Sequence, residues 1–212
     1  MNFILDIDGT LWDTTEVVAR AWNDAVEAVG LGPELGRFIT ADMLKKEFGK
    51  PMDVIIDDLF PSQDDKMQET VLEKIKEYEQ AAVRDTDEDL TFPGVVETII
   101  KLVPGNRIFI VSNCQEGYIE LVMNKLGITD YVDDYESFGN TGLSKAENIR
   151  LVMNRNRFAD NCSYYVGDTA GDYQAATEAG IPFIFASYGF GEMEEGFDGF
   201  TISSFDELER FE

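Results

Sequence analysis

Histidine is absent from this 212-residue chain. Its absence removes Ser-His-Asp and Cys-His chemistry, histidine general bases and most zinc sites. Cysteine is nearly absent, with only Cys114 and Cys162, whose spacing fits neither a zinc knuckle nor CxxC redox chemistry. Cys162 is expected to be a small core filler. Cys114 has the same expectation, although it lies beside a candidate site. No apolar run approaches the roughly 20 residues needed to span a bilayer. The N-terminus has no basic region followed by a long apolar stretch, so no secretory signal is expected and a cytoplasmic address is the default. Basic residues are scarce: 17 Lys and Arg stand against 42 Asp and Glu, for a formal net charge of −25. Such a surface repels nucleic acid and anionic lipid, and neither is expected as a partner. An anionic metabolite would be repelled too, unless a site supplies local positive charge from a metal and a lysine. Catalysis must then rest on carboxylates, Lys, Ser or Thr, and a metal.

What the chain does contain is an ordinary globular balance, 44% hydrophobic and 28% charged. Four short apolar runs read as strands buried on both faces of a parallel sheet: Phe3–Ile7, Arg107–Val111, Ser163–Val166 and Pro182–Ala186. Weaker strands are expected at 200–202 and within 131–135. Helical stripes separate them. Val95, Val96, Ile99, Ile100, Leu102 and Val103 follow Pro93-Gly94. A second stripe runs from Tyr118 to Leu126 before Gly127, and a third from Asp172 to Ala179 before Gly180. Ser203 is expected to cap a C-terminal helix. The alternation predicts an α/β fold with a doubly wound, Rossmann-like parallel sheet.

Residues 14–90 break the alternation. They show helical patterns and no convincing strand. Thr14 is positioned to cap a helix carrying Val18, Trp22, Val26 and Val29, ended by Gly30. Thr40 opens a short helix stopped at Gly49. Ser62 with Asp65 resembles a capping box ahead of Met67, Val71, Ile75, Tyr78 and Ala82. A segment of roughly 75 residues is far longer than a normal βα connection. The expected organisation is a discontinuous core, 1–13 with 91–212, and an inserted all-helical cap, 14–90. Trp12 and Trp22 are expected in the core.

The chemistry-bearing residues follow the strands. The first strand runs into Asp6-Ile7-Asp8-Gly9-Thr10, the second into Ser112-Asn113, and the third into Gly167-Asp168 with Asp172 four residues on. Ligands in open α/β sheets bind at the carboxyl ends of the strands. Asp-x-Asp alone carries little weight in a chain this rich in Asp, but a following Gly-Thr sharpens it. Alternate strand residues share a face, so Asp6 and Asp8 can both face the crevice. Gly9 lets the chain leave the strand sharply. Asp6, Asp168 and Asp172 could supply the hard oxygen ligands of Mg²⁺, and such close carboxylates repel one another without a cation.

Four separated motifs resemble the haloacid dehalogenase superfamily of aspartate-nucleophile phosphatases. They are Asp6-Ile7-Asp8-Gly9-Thr10-Leu11-Trp12-Asp13, Ile110-Val111-Ser112-Asn113, Lys145 within Gly142-Leu143-Ser144-Lys145, and Val166-Gly167-Asp168-Thr169-Ala170-Gly171-Asp172. A helical insertion after the first motif resembles the helical-cap subgroup, and residues 183–191 look like its phosphoglycolate phosphatase branch. The resemblance implies that Asp6 is the nucleophile and that Asp8 is the general acid and base, with its backbone carbonyl on Mg²⁺. It implies that Ser112 and the Asn113 backbone, with Thr10 in the substrate-binding set, serve the phosphoryl group. Lys145 would neutralise charge on nucleophile and phosphate. Asp168 would bind Mg²⁺ directly, and Asp172 through water or by steadying Lys145. Lys50, in Gly49-Lys50-Pro51 of the insertion, is expected to contact a second anionic group of the substrate. Many relatives follow the motif lysine with Pro, where this chain has Ala146. The expected activity is Mg²⁺-dependent hydrolysis of a small phosphorylated metabolite by a monomer or homodimer. A phosphomutase of the β-phosphoglucomutase type, a pyrophosphatase and a non-catalytic phosphometabolite-binding protein remain the alternatives.

Overall fold

A computed structural model describes residues 1–32, 38–158, 162–194 and 196–211. The chain divides into two compact units, Met1–Asp13 with Leu90–Glu212, and Thr14–Asp89.

The first unit is built on six parallel strands: β1 (Asn2–Leu5), β2 (Arg107–Ser112), β3 (Asp134–Ser137), β4 (Ser163–Gly167), β5 (Phe183–Ala186) and β6 (Phe200–Ile202). Their order is β3-β2-β1-β4-β5-β6, with β1 central and the chain reversing direction across it, as the doubly wound reading requires. Strand β1 is flanked in register by its two neighbours: Leu5 stands opposite Ile110 of β2 and Val166 of β4. All four β1 residues are buried, as are Ile108–Ser112 of β2, which explains the unbroken apolar runs. Ile4, Phe109, Val111 and Tyr165 pack with Ile149, Val152 and Ala176 from helices flanking the sheet. The helix over Val95–Leu102 buries Val95, Ile99 and Leu102, and that over Tyr118–Leu126 ends at Gly127 with φ 68°.

Several expectations shift. β1 stops at Leu5 rather than Ile7, because the Ile7 carbonyl turns to accept from the Thr10 and Leu11 N–H groups. Tyr131 falls in a 3₁₀ turn, Thr129–Tyr131, and the strand expected there begins at Asp134. The expected C-terminal helix is a 3₁₀ helix, Phe205–Phe211, with the Ser203 hydroxyl donating to Glu207 at 2.6 Å. Cys162 is exposed, not a core filler.

The second unit holds helices Thr15–Ala28, Ala41–Glu47, Met52–Leu59 and Asp65–Asp85, and no strand among its described residues. Thr40 caps its helix by accepting from the Met43 N–H, but Thr14 precedes the first helix without a side-chain cap bond. Asp64, not Ser62, caps the long helix, accepting from Met67 N–H at 2.9 Å. That helix buries Val71, Ile75, Glu79 and Val83 at i, i+4 spacing. Glu79 tolerates burial because the indole N–H of Trp22 donates to it at 2.6 Å. Among the described residues, no helix is long and apolar enough to cross a membrane.

Candidate active site

The carboxyl ends of β2, β1 and β4 lie side by side and deliver the chemistry. Asp6 continues β1 by one further bond, its N–H donating to Val166 at 2.9 Å. The chain then turns at once: Gly9 has φ 83°, and any Cβ there would collide with the Asp168 carboxylate. Glycine is therefore required twice, for the left-handed backbone and for the close approach of Asp168. Ser112, the last residue of β2, is buried, and its side chain is among the groups that favour the charged form of Asp6. Asp168 directly follows β4 and is fully buried.

Lys145 comes from a different direction, as the first residue of the helix Lys145–Asn156. Ser144 and Glu147 form a reciprocal capping box that fixes this helix start. The buried Lys145 ammonium donates to Asp6 Oδ1 at 3.0 Å and to Asp172 Oδ1 at 2.6 Å, and lies 5.8 Å from the Tyr165 ring centre. Asp172 belongs to the helix Ala170–Ala179, where Thr169 caps the N-terminus. Its second oxygen accepts from the Asp168 N–H at 3.2 Å, the Thr169 N–H at 3.0 Å and the Thr169 hydroxyl at 2.7 Å.

Ligand atoms of Asp6, Asp168 and Asp172 all lie within 4.8 Å of one another. Among the described residues, three buried carboxylates face the Lys145 ammonium, and the excess negative charge perturbs the site. Burial raises the Asp6 carboxyl to about 6, with Lys145 pulling down and Asp172 pushing up. Burial, then the charges of Asp172 and Asp6, holds Asp168 well above the usual carboxylate range. Burial opposes the charge on Lys145, but Asp172 and Asp6 outweigh it and raise its value. A compact set of hard oxygen donors with uncompensated charge fits a divalent cation of the Mg²⁺ kind.

Asp8 does not join this cluster through its side chain. Its Oδ1 accepts from the Trp12 indole N–H at 2.9 Å and the Tyr118 hydroxyl at 3.2 Å. The Thr10 hydroxyl reaches Asp168 Oδ1 at 3.4 Å. Asn113 follows Ser112 directly at the end of β2 and is half-buried. Lys50 belongs to the second unit, where its ammonium is held by Glu47 at 2.6 Å and Asp58 at 2.8 Å. The Cys114 thiol is pushed well above its ordinary value by burial and by the charges of Asp8 and Asp6, which keeps it protonated.

Residues that sequence reasoning left without a role complete the site. The Phe190 N–H donates to Asp168 Oδ2 at 2.7 Å, and the Tyr188 hydroxyl to the Thr10 carbonyl at 2.8 Å. Thus the Ser187–Gly191 loop braces both the Asp168 carboxylate and the turn after β1. Gly189 packs against Asp168 and the Gly9 carbonyl, with no room for a Cβ. The Tyr165 hydroxyl donates to the Val111 carbonyl at 2.8 Å. The signal in the sequence was the resemblance of residues 183–191 to the phosphoglycolate phosphatase branch, which gave none of them a role.

Against known proteins, the family model for haloacid dehalogenase-like hydrolases matches residues 3–186. The phosphoglycolate phosphatase of Agrobacterium fabrum is 26% identical over 196 residues, covering 90% of this chain and 82% of that protein. Among solved structures, a predicted phosphatase from Clostridium acetobutylicum superposes with a TM-score of 0.83 at 19% identity, covering 99% of this chain and 96% of that one. The protein CbbY from Rhodobacter sphaeroides, solved in complex with phosphate, superposes with a TM-score of 0.81 at 20% identity, covering 98% and 95%. The family match spans most of the chain and includes the strand ends that carry Asp6, Ser112 and Asp168: this protein belongs to the haloacid dehalogenase-like hydrolases.

Proposed function

We propose that this chain is a Mg²⁺-dependent phosphatase acting on a small phosphorylated metabolite, of the phosphoglycolate or sugar-phosphate type, through an aspartyl-phosphate on Asp6. One observation carries the reading: the buried Lys145 ammonium bonded to Asp6 inside a cluster of three carboxylates. An aspartate held beside a fixed ammonium is positioned as a nucleophile toward a dianionic phosphoryl group rather than as a surface cap. The phosphoglycolate phosphatases among its relatives and the phosphate-bound CbbY support the substrate class.

In this reading an Asp6 oxygen bonds to phosphorus in line as the bond to the leaving oxygen breaks. Asp8 gives its proton to that oxygen, then takes one from the water that attacks phosphorus and releases Asp6. The Ser112 hydroxyl and the Asn113 backbone N–H hold the transferring oxygens, with Thr10 alongside in the substrate set. Lys145 offsets charge on the nucleophile and the phosphoryl group. Asp6, Asp168 and the Asp8 carbonyl would hold Mg²⁺, with Asp172 acting through water or by steadying Lys145. When bound, the ion supplies charge stabilisation at the phosphoryl oxygens. Lys50 of the helical unit would contact a second anionic group of the substrate, in competition with Glu47 and Asp58, which hold its ammonium. The reading places the enzyme in the cytoplasm, as a monomer or homodimer.

The test is phosphate release from a broad panel of phosphorylated metabolites with Mg²⁺, in wild type and Asp6→Asn. Hydrolysis of at least one substrate, lost in the variant, is expected. Turnover persisting in purified Asp6→Asn would overturn the covalent mechanism, and isomer formation without free phosphate would point to a phosphomutase.

A further inference from the structure

The hydrogen bonds on Asp8 carry a consequence for the proton that it transfers. Trp12 is fully buried and Tyr118 is 2% exposed, and their rings meet edge to face at 5.9 Å. They reach Asp8 from separate parts of the chain. Trp12 lies four residues on, in the turn after β1, where its carbonyl accepts from the Gly9 N–H at 2.9 Å. Tyr118 opens the helix after β2, directly behind Gly117 with φ 80°. A buried indole and a buried phenol each need a partner for their polar hydrogen. Satisfying them requires no more than two separate backbone carbonyls. Here both converge on one atom, Asp8 Oδ1, two residues from the proposed nucleophile.

We propose that Trp12 and Tyr118 are positioning residues that fix the Asp8 carboxyl and determine which of its oxygens carries the transferred proton. The inference rests on the reading of Asp8 as general acid. A carboxyl oxygen offers two acceptor positions. On Oδ1 the indole N–H and the phenol O–H fill both, so the proton delivered to the leaving group rides on Oδ2. In the transfer the Oδ2–H bond breaks, the proton joins the leaving oxygen as its bond to phosphorus breaks, and Asp8 is left as a carboxylate. Two donors from two elements also hold the carboxyl plane against rotation, which a single donor would allow. Orientation of this kind matters only when the leaving oxygen needs a proton. A leaving group stable as an anion departs without one.

The test compares kcat/KM for phenyl phosphate, a poor leaving group, with that for para-nitrophenyl phosphate, a good one of nearly the same shape. kcat/KM reports only the steps through the first phosphoryl transfer, so hydrolysis of the intermediate does not confuse the comparison. Tyr118→Phe removes one oxygen and keeps the ring, so the variant should still fold, with a melting temperature lower by only about 2–4 °C. It should lower kcat/KM on phenyl phosphate by about tenfold, the size of one net hydrogen bond, and on the nitro compound by no more than about twofold. The loss should fall on kcat, with KM unchanged. Trp12→Phe should show the same selectivity. Asp8→Asn is the reference and should show the largest selective loss. Equal losses on both substrates in Tyr118→Phe, or no loss, while Asp8→Asn remains selective, would overturn the positioning role. If Asp8→Asn is itself unselective, it is the reading of Asp8 as general acid that fails, and the inference falls with it.

Discussion

Asp172 holds the Lys145 ammonium at 2.6 Å through one oxygen while its other oxygen anchors the backbone of Asp168 and Thr169. One side chain therefore ties the loop carrying Asp168 to the lysine that contacts the proposed nucleophile. Asp172→Asn keeps the shape and an acceptor but removes the charge that fixes Lys145. The expected result is a fall in kcat of about a hundredfold, within the range for one displaced electrostatic group. KM should change little. Steady-state kinetics at saturating Mg²⁺ check this, and unchanged kcat would show that Asp172 serves only as a helix cap.

Lys145 pairs with two of the three carboxylates of the cluster, Asp6 and Asp172. Removing it leaves buried charge uncompensated, which typically costs about 3–5 kcal/mol. Lys145→Ala should therefore be strongly destabilised in chelator and partly rescued by Mg²⁺, whose charge substitutes for the ammonium. Urea denaturation with and without Mg²⁺ measures both. Equal destabilisation in the two conditions would place the cation elsewhere.

Activity should stop in EDTA and return with Mg²⁺, while Ca²⁺ should inhibit. Ca²⁺ takes more ligands at longer distances, about 2.3–2.6 Å against 2.0–2.1 Å for Mg²⁺, and would shift Asp6 from its line of attack. Asp168→Asn should remove the response to Mg²⁺, both in turnover and as a rise in melting temperature. A full thermal response in that variant would contradict the role given to Asp168.

The parallel sheet was legible in the sequence because its strands are buried on both faces and read as unbroken apolar runs. Asp6, Lys145, Asp168 and Asp172 were legible as chemistry because they follow those strands or sit between recognisable motifs, and the fold brings all four together. What could not be read depends on long-range geometry. The Tyr118 hydroxyl meets Asp8 across 110 positions, and the Phe190 N–H meets Asp168 only after β5 is paired beside β4. Local competition also misled. Ser62 matched a capping pattern, but Asp64 stands immediately before the helix and takes the cap. Cys162 had a core residue's chemistry but sits just before the buried run of β4, in contact with solvent.

The Tyr188 hydroxyl joins the Ser187–Gly191 loop to the turn after β1 through the Thr10 carbonyl. Tyr188→Phe should cost about 1 kcal/mol of stability, the net value of one hydrogen bond. Gly189 has a second constraint, since a methyl there would press on Asp168 and on the Gly9 carbonyl. Gly189→Ala should therefore weaken Mg²⁺ binding more than Tyr188→Phe does. Calorimetric titration of both variants with Mg²⁺ compares them, and equal affinities would show that the loop does not shape the cluster.

The Asp6 carboxyl gives the metal-free protein a pH signature. Burial raises it from 3.8 to about 6. Between those values the folded chain keeps a proton that the unfolded chain has lost. Stability should thus fall as pH rises from about 4 to about 6 and stay low above that, by an amount on the order of 3 kcal/mol. Asp168 is shifted the same way and adds to the trend. Asp6→Asn removes the Asp6 contribution, while Asp172 still pairs with Lys145. In chelator the variant should be more stable than wild type at pH 7, and the advantage should shrink toward pH 4. Saturating Mg²⁺ should then close the gap at pH 7, because it binds the ionised carboxylate that only wild type possesses. Chemical denaturation at the two pH values, with and without Mg²⁺, makes the comparison. A gap that is the same at both pH values would mean that Asp6 is not held up by burial, and that Lys145 already neutralises it in the absence of a metal.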